Sequence, residues 1–382
     1  MDFQLSEEQE MIRETVRKFA EAKIKPVAHE LDEKEEFSVE TTKAMGELGV
    51  FGIIVPEEYG GQGLDYLSYV IAIEELARVD GSHAATAAAG VSLGIAPLLY
   101  FGNEEQKKKY LPALAAGEAL FAFGLTEANA GSDSRGTKTR AEKKDGGWVI
   151  NGSKIFITNA STPITTGAVV QAVSGKKPNG IPIFTCFLVD TGTEGYTTKT
   201  MHKKLMWRAS NTAELYFTDC KVPESAILGK IGDGSKQMLK TLDSGRLSIA
   251  AMGLGCAQGA YEAALEYAKQ REQFGKPIIK FQTTSFKLAD MAMKIEHART
   301  FLYKACWLRD TGQPFGKESA MAKLYCSEVA QQVANEAVQI HGGYGLMKEF
   351  DVERFYRDQR LLQIGEGTSE IQRMVIARFI GC

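Results

Sequence analysis

The strongest constraint on how this 382-residue chain can fold is a double change of texture along it. Up to about residue 119 apolar side chains recur at helical spacing. From about 120 to 228 they come in short β-type runs: Phe121-Ala122-Phe123-Gly124-Leu125, Trp148-Val149-Ile150, Ile155-Phe156-Ile157-Thr158, Ile183 to Val189 and Ala213 to Phe217. Asn151-Gly152, lying between two of these runs, is a hairpin signal. From about 229 the helical pattern returns and holds to the end. The length is too great for one ordinary core. The expectation is therefore three domains: helical over 1–119, a β-barrel or sandwich over 120–228, and a helical bundle over 229–382.

Within this plan Ser6-Glu7-Glu8-Gln9 reads as a capping box opening the first helix. Further helices are expected over about 39–48, 66–79, 82–101 and 104–115, then 234–270, 281–311 and 316–340. Ala84 to Gly90, built of small side chains, suits either close helix packing or the lining of a cavity.

Composition narrows the function. A net charge of −3 gives no general electrostatic case for nucleic acid or an anionic membrane as partner. No apolar run reads as a membrane span. Met1-Asp2-Phe3-Gln4-Leu5 has neither the layout of a signal peptide nor that of a transit peptide. The six cysteines are scattered, which suggests reduced thiols in a cytosol-like compartment. Five histidines without H-E-x-x-H spacing argue against a catalytic metal.

One stretch stands out chemically: Gln363-Ile364-Gly365-Glu366-Gly367-Thr368-Ser369-Glu370-Ile371. Glu366 between two glycines has nothing bulky beside it. Ser369 and Gln372 have capping-box spacing, which places Glu366 just before a helix N-terminus. By itself this also suits an ordinary exposed turn. Leu125-Thr126-Glu127 to Gly131-Ser132-Asp133 leaves backbone N–H groups and hydroxyls free for a polar ligand, or makes a plain turn. Arg271, Phe274 and Lys276 end one long helix, either against phosphate and a ring or simply answering the helix dipole. Asp243 and Arg246 stand at i, i+3, the spacing of a surface ion pair. Gly253-Leu254-Gly255-Cys256-Ala257-Gln258-Gly259 is not a dinucleotide fingerprint, because the spacing is wrong and its context is a helix; its small residues favour close packing.

Together these residues resemble the acyl-CoA dehydrogenase family. The resemblance runs from Leu5 to Arg378 and rests on three signatures in order: Gly124 to Asp133, Gln339 to Gly345, and Glu366-Gly367-Thr368. It implies an N-terminal α-helical domain, a central β-barrel and a C-terminal four-helix bundle, assembled as a homotetramer in the cytoplasm or a mitochondrial matrix. It implies FAD as cofactor, an acyl-CoA substrate and an electron-transfer flavoprotein as partner. By position, Phe123, Leu125 and Thr126 face the flavin. Ser132 lies near the pyrophosphate and pantetheine, and Phe156 and Thr158 lie on the other side. Arg271, Phe274, Gln282, Gln339 and Gly343 match contacts to the FAD of an adjacent subunit, and Thr368 and Glu370 match contacts to its adenosine and pyrophosphate part. Asp243 and Arg246 fall near the CoA moiety.

Glu366 is implied as the general base removing the α proton, its carboxyl raised by burial against the pull of the helix N-terminus, while the β hydrogen leaves as hydride. Some relatives carry the base just before the residue matching Arg246, where this chain has Gly245. Many straight-chain members have Tyr where this chain has Gly365, which implies a wider pocket for short, branched, cyclic or aryl-substituted acyl groups. Trp207 stands where a small or polar residue is expected. An enoyl-CoA reductase, an oxidase or a catalytically silent CoA-ester-binding protein are the rival readings.

Overall fold

The computed structural model describes residues 4–382; Met1 to Phe3, part of the segment read above for a leader, lie outside the described residues. The capping box forms as expected: Gln9 N donates to Ser6 Oγ at 3.2 Å and Ser6 N to Gln9 Oε1 at 3.1 Å, opening α1 (Glu7–Phe19). The helical layer continues through α2 (Lys25–Lys34), α3 (Val39–Glu47), α4 (Tyr66–Ala77), α5 (Gly81–Ala89), α6 (Ala96–Phe101) and α7 (Glu104–Ala115). Between α5 and α6 the turn widens to a π-helix at Gly90–Ile95, so 81–101 is one continuous rod. That rod is long and apolar enough to cross a membrane, contrary to the expectation that no run is. Seventy-eight per cent of its apolar window is buried inside the protein, which makes it a core helix.

The β-domain comprises β1 (Leu120–Gly124), β2 (Arg140–Lys144), β3 (Gly147–Thr158), β4 (Thr165–Lys176), β5 (Pro182–Asp190), β6 (Tyr196–Thr200), β7 (Thr212–Pro223) and β8 (Ile227–Leu228). They form one sheet in the order β6-β7-β3-β2-β4-β5-β8, with β1 parallel to β4. Trp148 of β3 and Phe187 of β5 are three places apart in that order, about 14 Å in a flat sheet. Their rings nevertheless lie 5.4 Å apart, so the sheet is rolled around its own apolar core. The expected hairpin at Asn151-Gly152 is corrected: both residues lie inside β3, where the pairing register with β7 shifts between Ile150 and Gly152. Asn151 Oδ1 accepts from Asp219 N at 2.8 Å, and Gly152 takes φ 145°, leaving no room for a Cβ against Thr139. A bulge and a turn share the same residue preference, which is why the dipeptide misleads. The turn itself is at Asp145-Gly146, between β2 and β3.

The third layer is α8 (Gly234–Gln270), a small hairpin of β9 (Glu272–Gln273) and β10 (Lys276–Pro277), α9 (Gln282–Asp310), α10 (Gly316–His341), α11 (Val352–Asp358) and α12 (Ser369–Ile380). α8 is the axis of the molecule, packed on α4, α9 and α10. Gly255 and Gly259 make this possible: a Cβ would come within 2.2 Å of Glu74 O and 2.1 Å of Arg78 O. The G-rich run of α8 is thus a packing device, as its helical context indicated.

Candidate active site

Glu366 lies on the short link between a 3₁₀ turn at Gln359–Gln363 and α12. The link reverses the chain with two successive left-handed residues, Glu366 at φ 51° and Gly367 at φ 92°. Glycine adopts this freely, whereas for Glu366 it costs on the order of 1 kcal/mol, which the surroundings must hold. They do so through the outward carbonyls. Gln372 Nε2 donates to Glu366 O at 3.2 Å and to Gly367 O at 2.9 Å, and Lys323 Nζ donates to Gly367 O at 2.7 Å. The expected Ser369/Gln372 capping box is therefore corrected. The N-cap is Thr368, whose Oγ1 accepts from Ile371 N at 3.3 Å, and Gln372 is spent on the loop instead.

The Glu366 carboxyl points at α8. Its Oε2 is sealed from solvent and has no hydrogen-bond partner, although the residue as a whole is only half-buried. A Cβ on Gly245 would lie 2.2 Å from that oxygen, so the glycine opens the space the carboxyl fills. Burial pushes the carboxyl up to about 7; the opposing pull comes from Lys323 and Arg246. Arg246 is itself buried, pairs with Asp243 at 2.6 Å, and leaves its Nε without a partner. This pair is therefore not a plain surface ion pair: it forms the charged edge of the Glu366 pocket. Burial raises Asp243 even beside its arginine.

In the β-domain, Leu125 and Thr126 leave β1 and lie beside β3, with Ile155 N donating to Thr126 O at 3.0 Å. Lys154, wholly buried, donates to Leu125 O at 3.1 Å and to Glu127 Oε1 at 2.8 Å. Glu127 also accepts from the N–H of Lys138 and of Thr139. Phe156 is held out at φ 61° with 63% of its surface exposed, and Thr158 sits two residues on, half-buried. Phe123 is buried and Ser132 exposed.

A second group gathers at the far end of α8. Arg271 and Gly343 line a cleft of about 580 Å³ with Tyr267, His341 and Tyr344, and Phe274 stands beside it at φ 52°, 94% exposed. His341 stacks on Tyr267 at 4.2 Å and donates from Nδ1 to Ala337 O, a structural role.

Three family descriptions match the chain in order: acyl-CoA dehydrogenase N-terminal domain over residues 6–118, middle domain over 122–220 and C-terminal domain over 232–381. The chain belongs to the acyl-CoA dehydrogenase family. It is 53% identical over 378 residues to the probable acyl-CoA dehydrogenase YngJ of Bacillus subtilis, covering 99% of both. The butyryl-CoA dehydrogenase structure of Megasphaera elsdenii superposes with a TM-score of 0.96 at 44% identity over all of both chains. A chain solved in a study of the electron transferring flavoprotein of Acidaminococcus fermentans matches equally, with a TM-score of 0.96 and 44% identity over all of both.

Acyl-CoA dehydrogenases are FAD-dependent oxidoreductases, and the residues present fit that group. Phe156 is an aromatic ring held outward on a strained backbone with no ring partner among the described residues, near the hydroxyl-bearing strand ends at Thr126 and Thr158. The Arg271–Gly343 cleft offers a cation and exposed glycine backbone. Trp207 belongs to neither feature. It is buried, its backbone N–H donates to Asp358 Oδ1 at 2.8 Å, and its ring lies against Gly81, where a Cβ would come within 3.0 Å. It clamps the β-domain to α5 and α11. Reading the sequence missed Lys323 and the Glu127–Lys154 pair. Lys323 shares the buried face of α10 with Ala320, Cys326 and Ala330, but a lysine at such a position that bends out to water would read the same in sequence.

Proposed function

We propose that the chain dehydrogenates a short acyl-CoA thioester between Cα and Cβ, with Glu366 as the base that takes the α proton. The observation carrying this is the sealed, unpartnered Glu366 Oε2 opposite Gly245. A carboxyl pushed up to about 7 is matched to proton abstraction near neutral pH. The Glu366 N–H is not spent on another backbone acceptor among the described residues, so it is free to donate to the thioester oxygen as negative charge develops there. Bound FAD supplies the acceptor for the β hydrogen as hydride at N5. Phe123, Leu125, Thr126, Ser132, Phe156 and Thr158 would hold its flavin end and the adjoining part of the substrate, with Asp243 and Arg246 near the CoA.

Arg271, Phe274, Gln282, Gln339 and Gly343 would hold the cofactor of another copy. Arg271 lies 25 residues beyond Arg246, and α8 reaches to Gln270, so the two groups stand about 37 Å apart along the helix, further than one extended dinucleotide spans. Exposed apolar side chains on the bundle, among them Phe286, Met293, Trp307 and Phe379, suit burial between copies in a homotetramer. Thr368, the cap of α12, and Glu370, exposed in its first turn, would hold the adenosine and pyrophosphate part of the cofactor. The relation to the chain from the Acidaminococcus study supports an electron-transfer flavoprotein as the acceptor of the electrons.

Gly365 bears on the substrate. The atoms nearest to a Cβ there belong to Leu361, the first at 3.6 Å, an ordinary contact, so a side chain would fit and Gly365 leaves that room unfilled. Branched, cyclic or aryl-substituted acyl groups are therefore admitted with short straight ones. The test is anaerobic bleaching of the flavin by a panel of straight, branched, cyclic and aryl acyl-CoA esters, with wild type and Glu366→Gln. The expected result is bleaching by short and branched esters, and a loss of about 10³-fold or more in the variant while flavin is retained. Near-normal bleaching by Glu366→Gln would remove the base from Glu366.

A further inference from the structure

The loop bearing Glu366 rests on a lysine to which nothing above assigns a role. Lys323 has no exposed surface; it stands on α10 among Ser319, Ala320, Ala322, Cys326 and Ser327. Burying an ammonium costs several kcal/mol unless something answers it. An ammonium carries three N–H donors, and the bond to Gly367 O uses one. Among the described residues no carboxylate lies within ion-pair distance, yet Glu366 is the largest attraction acting on this lysine, ahead of Glu370.

Resting on the reading of Glu366 as the base, the geometry points to Lys323 as the positioning residue of that base: it clamps the Gly367 carbonyl, fixing the left-handed link, and supplies from α10 the buried positive charge that the sealed carboxylate faces. Each part has its own observation. For the clamp, Lys323 and Gln372 converge on one carbonyl oxygen next to a non-glycine residue at φ 51°. For the charge, Glu366 Oε2 is sealed and has no donor of its own, so on that oxygen negative charge is answered by nearby cations and not by a bond. The charged groups around it are few. Arg246 faces it from α8 but is tied to Asp243 at 2.6 Å; Tyr69 approaches from α4 as a neutral phenol bonded to Ala88 O; and Glu370, at the start of α12, is exposed. Lys323 alone among these cations lacks a bonded carboxylate. Burial brings it down to about 8, so carboxylate and ammonium coexist just above neutrality, where the carboxyl has given up its proton and the lysine still holds its own.

The test compares wild type, Lys323→Met and Lys323→Gln, the last uncharged but able to keep the bond to Gly367 O. Two quantities are read against pH: the rate of anaerobic flavin reduction by butyryl-CoA, and the Glu366 carboxyl band in the infrared, identified by its absence in Glu366→Gln. The expected result is that both variants move the acid limb and the band midpoint upward by at least one pH unit. The methionine should also lower the plateau rate about tenfold, and the glutamine should do so less. If the methionine fails to fold, the glutamine carries the test. An acid limb and band midpoint unmoved in the folded variants would overturn the proposal. A Glu366→Gln enzyme that turns over normally would instead sink the base assignment, and the infrared shift would still decide what Lys323 does to the carboxyl.

Discussion

Glu127 and Glu366 each bring a carboxylate into the interior near a buried lysine, and they are built in opposite ways. In the β-domain Glu127 bonds Lys154 directly at 2.8 Å, and its oxygens also take the N–H groups of Lys138 and Thr139. All that donation holds its carboxyl below the usual range despite burial. In the helical domain Lys323 bonds not the carboxylate but the carbonyl one residue further on, and Glu366 Oε2 is left bare. Its carboxyl rises to about 7. Burial pushes both carboxyls up; at Glu127 the adjacent Lys154 charge and the bonds outweigh it, and at Glu366 the more distant charges do not. A carboxylate with every oxygen occupied is part of the framework, whereas one left unoccupied retains the capacity to take a proton.

That contrast can be broken by mutation. The largest stability effect is expected at the satisfied pair. Lys154→Met leaves Glu127 charged, sealed and short of a donor, and frees Leu125 O; it should cost about 3–5 kcal/mol in denaturant melts. The double variant Lys154→Met/Glu127→Gln should recover much of the loss, since the interaction is pairwise. Lys323→Met should cost clearly less than Lys154→Met; equal costs would erase the distinction between the two pairs. Next comes Gly245→Ala. The new methyl would occupy the position 2.2 Å from Glu366 Oε2, and the carboxyl must swing away. A displacement of about an ångström in the reacting group is worth roughly 10² in rate. Single-turnover flavin reduction should fall by that factor while the melting temperature stays within a few degrees. An unchanged rate would mean that the carboxyl reaches the substrate by another path.

How much of this was legible beforehand divides along the same line. The long helices were readable because periodicity over many residues is a strong signal: α8 spans Gly234–Gln270 and α7 Glu104–Ala115, the ranges expected. Glu366 was visible because family signatures flank it. The errors arose where one residue type serves two geometries. Asn151-Gly152 makes a bulge rather than a turn, and Gln372 turns from its expected cap to hold two carbonyls. Lys323 and Lys154 were invisible for a different reason. A lysine inside an apolar helix face or an alternating strand is indistinguishable in sequence from one that bends out to water. Only the packing shows that these two are sealed, and only the partner atoms show that one is satisfied and the other poised.

The smallest expected effect tests the poised carboxyl without any catalysis. Its proton is held more tightly in the folded protein, about 7 against an ordinary 4.5. Below pH 4.5 both folded and unfolded chains keep the proton, and Glu366 contributes nothing. Between 4.5 and 7 the unfolded chain ionises first, so stability falls as pH rises, and above about 7 the full cost is present. Glu366→Gln abolishes that cost. It should match or fall below wild type near pH 4.5 and gain on it by about 2 kcal/mol by pH 8, once the partial exposure of the residue is allowed for. Lys323 limits this gain: where the wild-type carboxyl is ionised it supports the buried ammonium, and the variant forgoes that support. Glu127→Gln should show no such gain, because its carboxyl is lowered rather than raised. Paired melts at pH 5 and pH 8 should therefore show a gain for Glu366→Gln and an almost flat difference for Glu127→Gln, whose linkage falls below about pH 4.5. A Glu366→Gln protein that gains nothing on wild type between those pH values would mean that its carboxyl ionises like an exposed one.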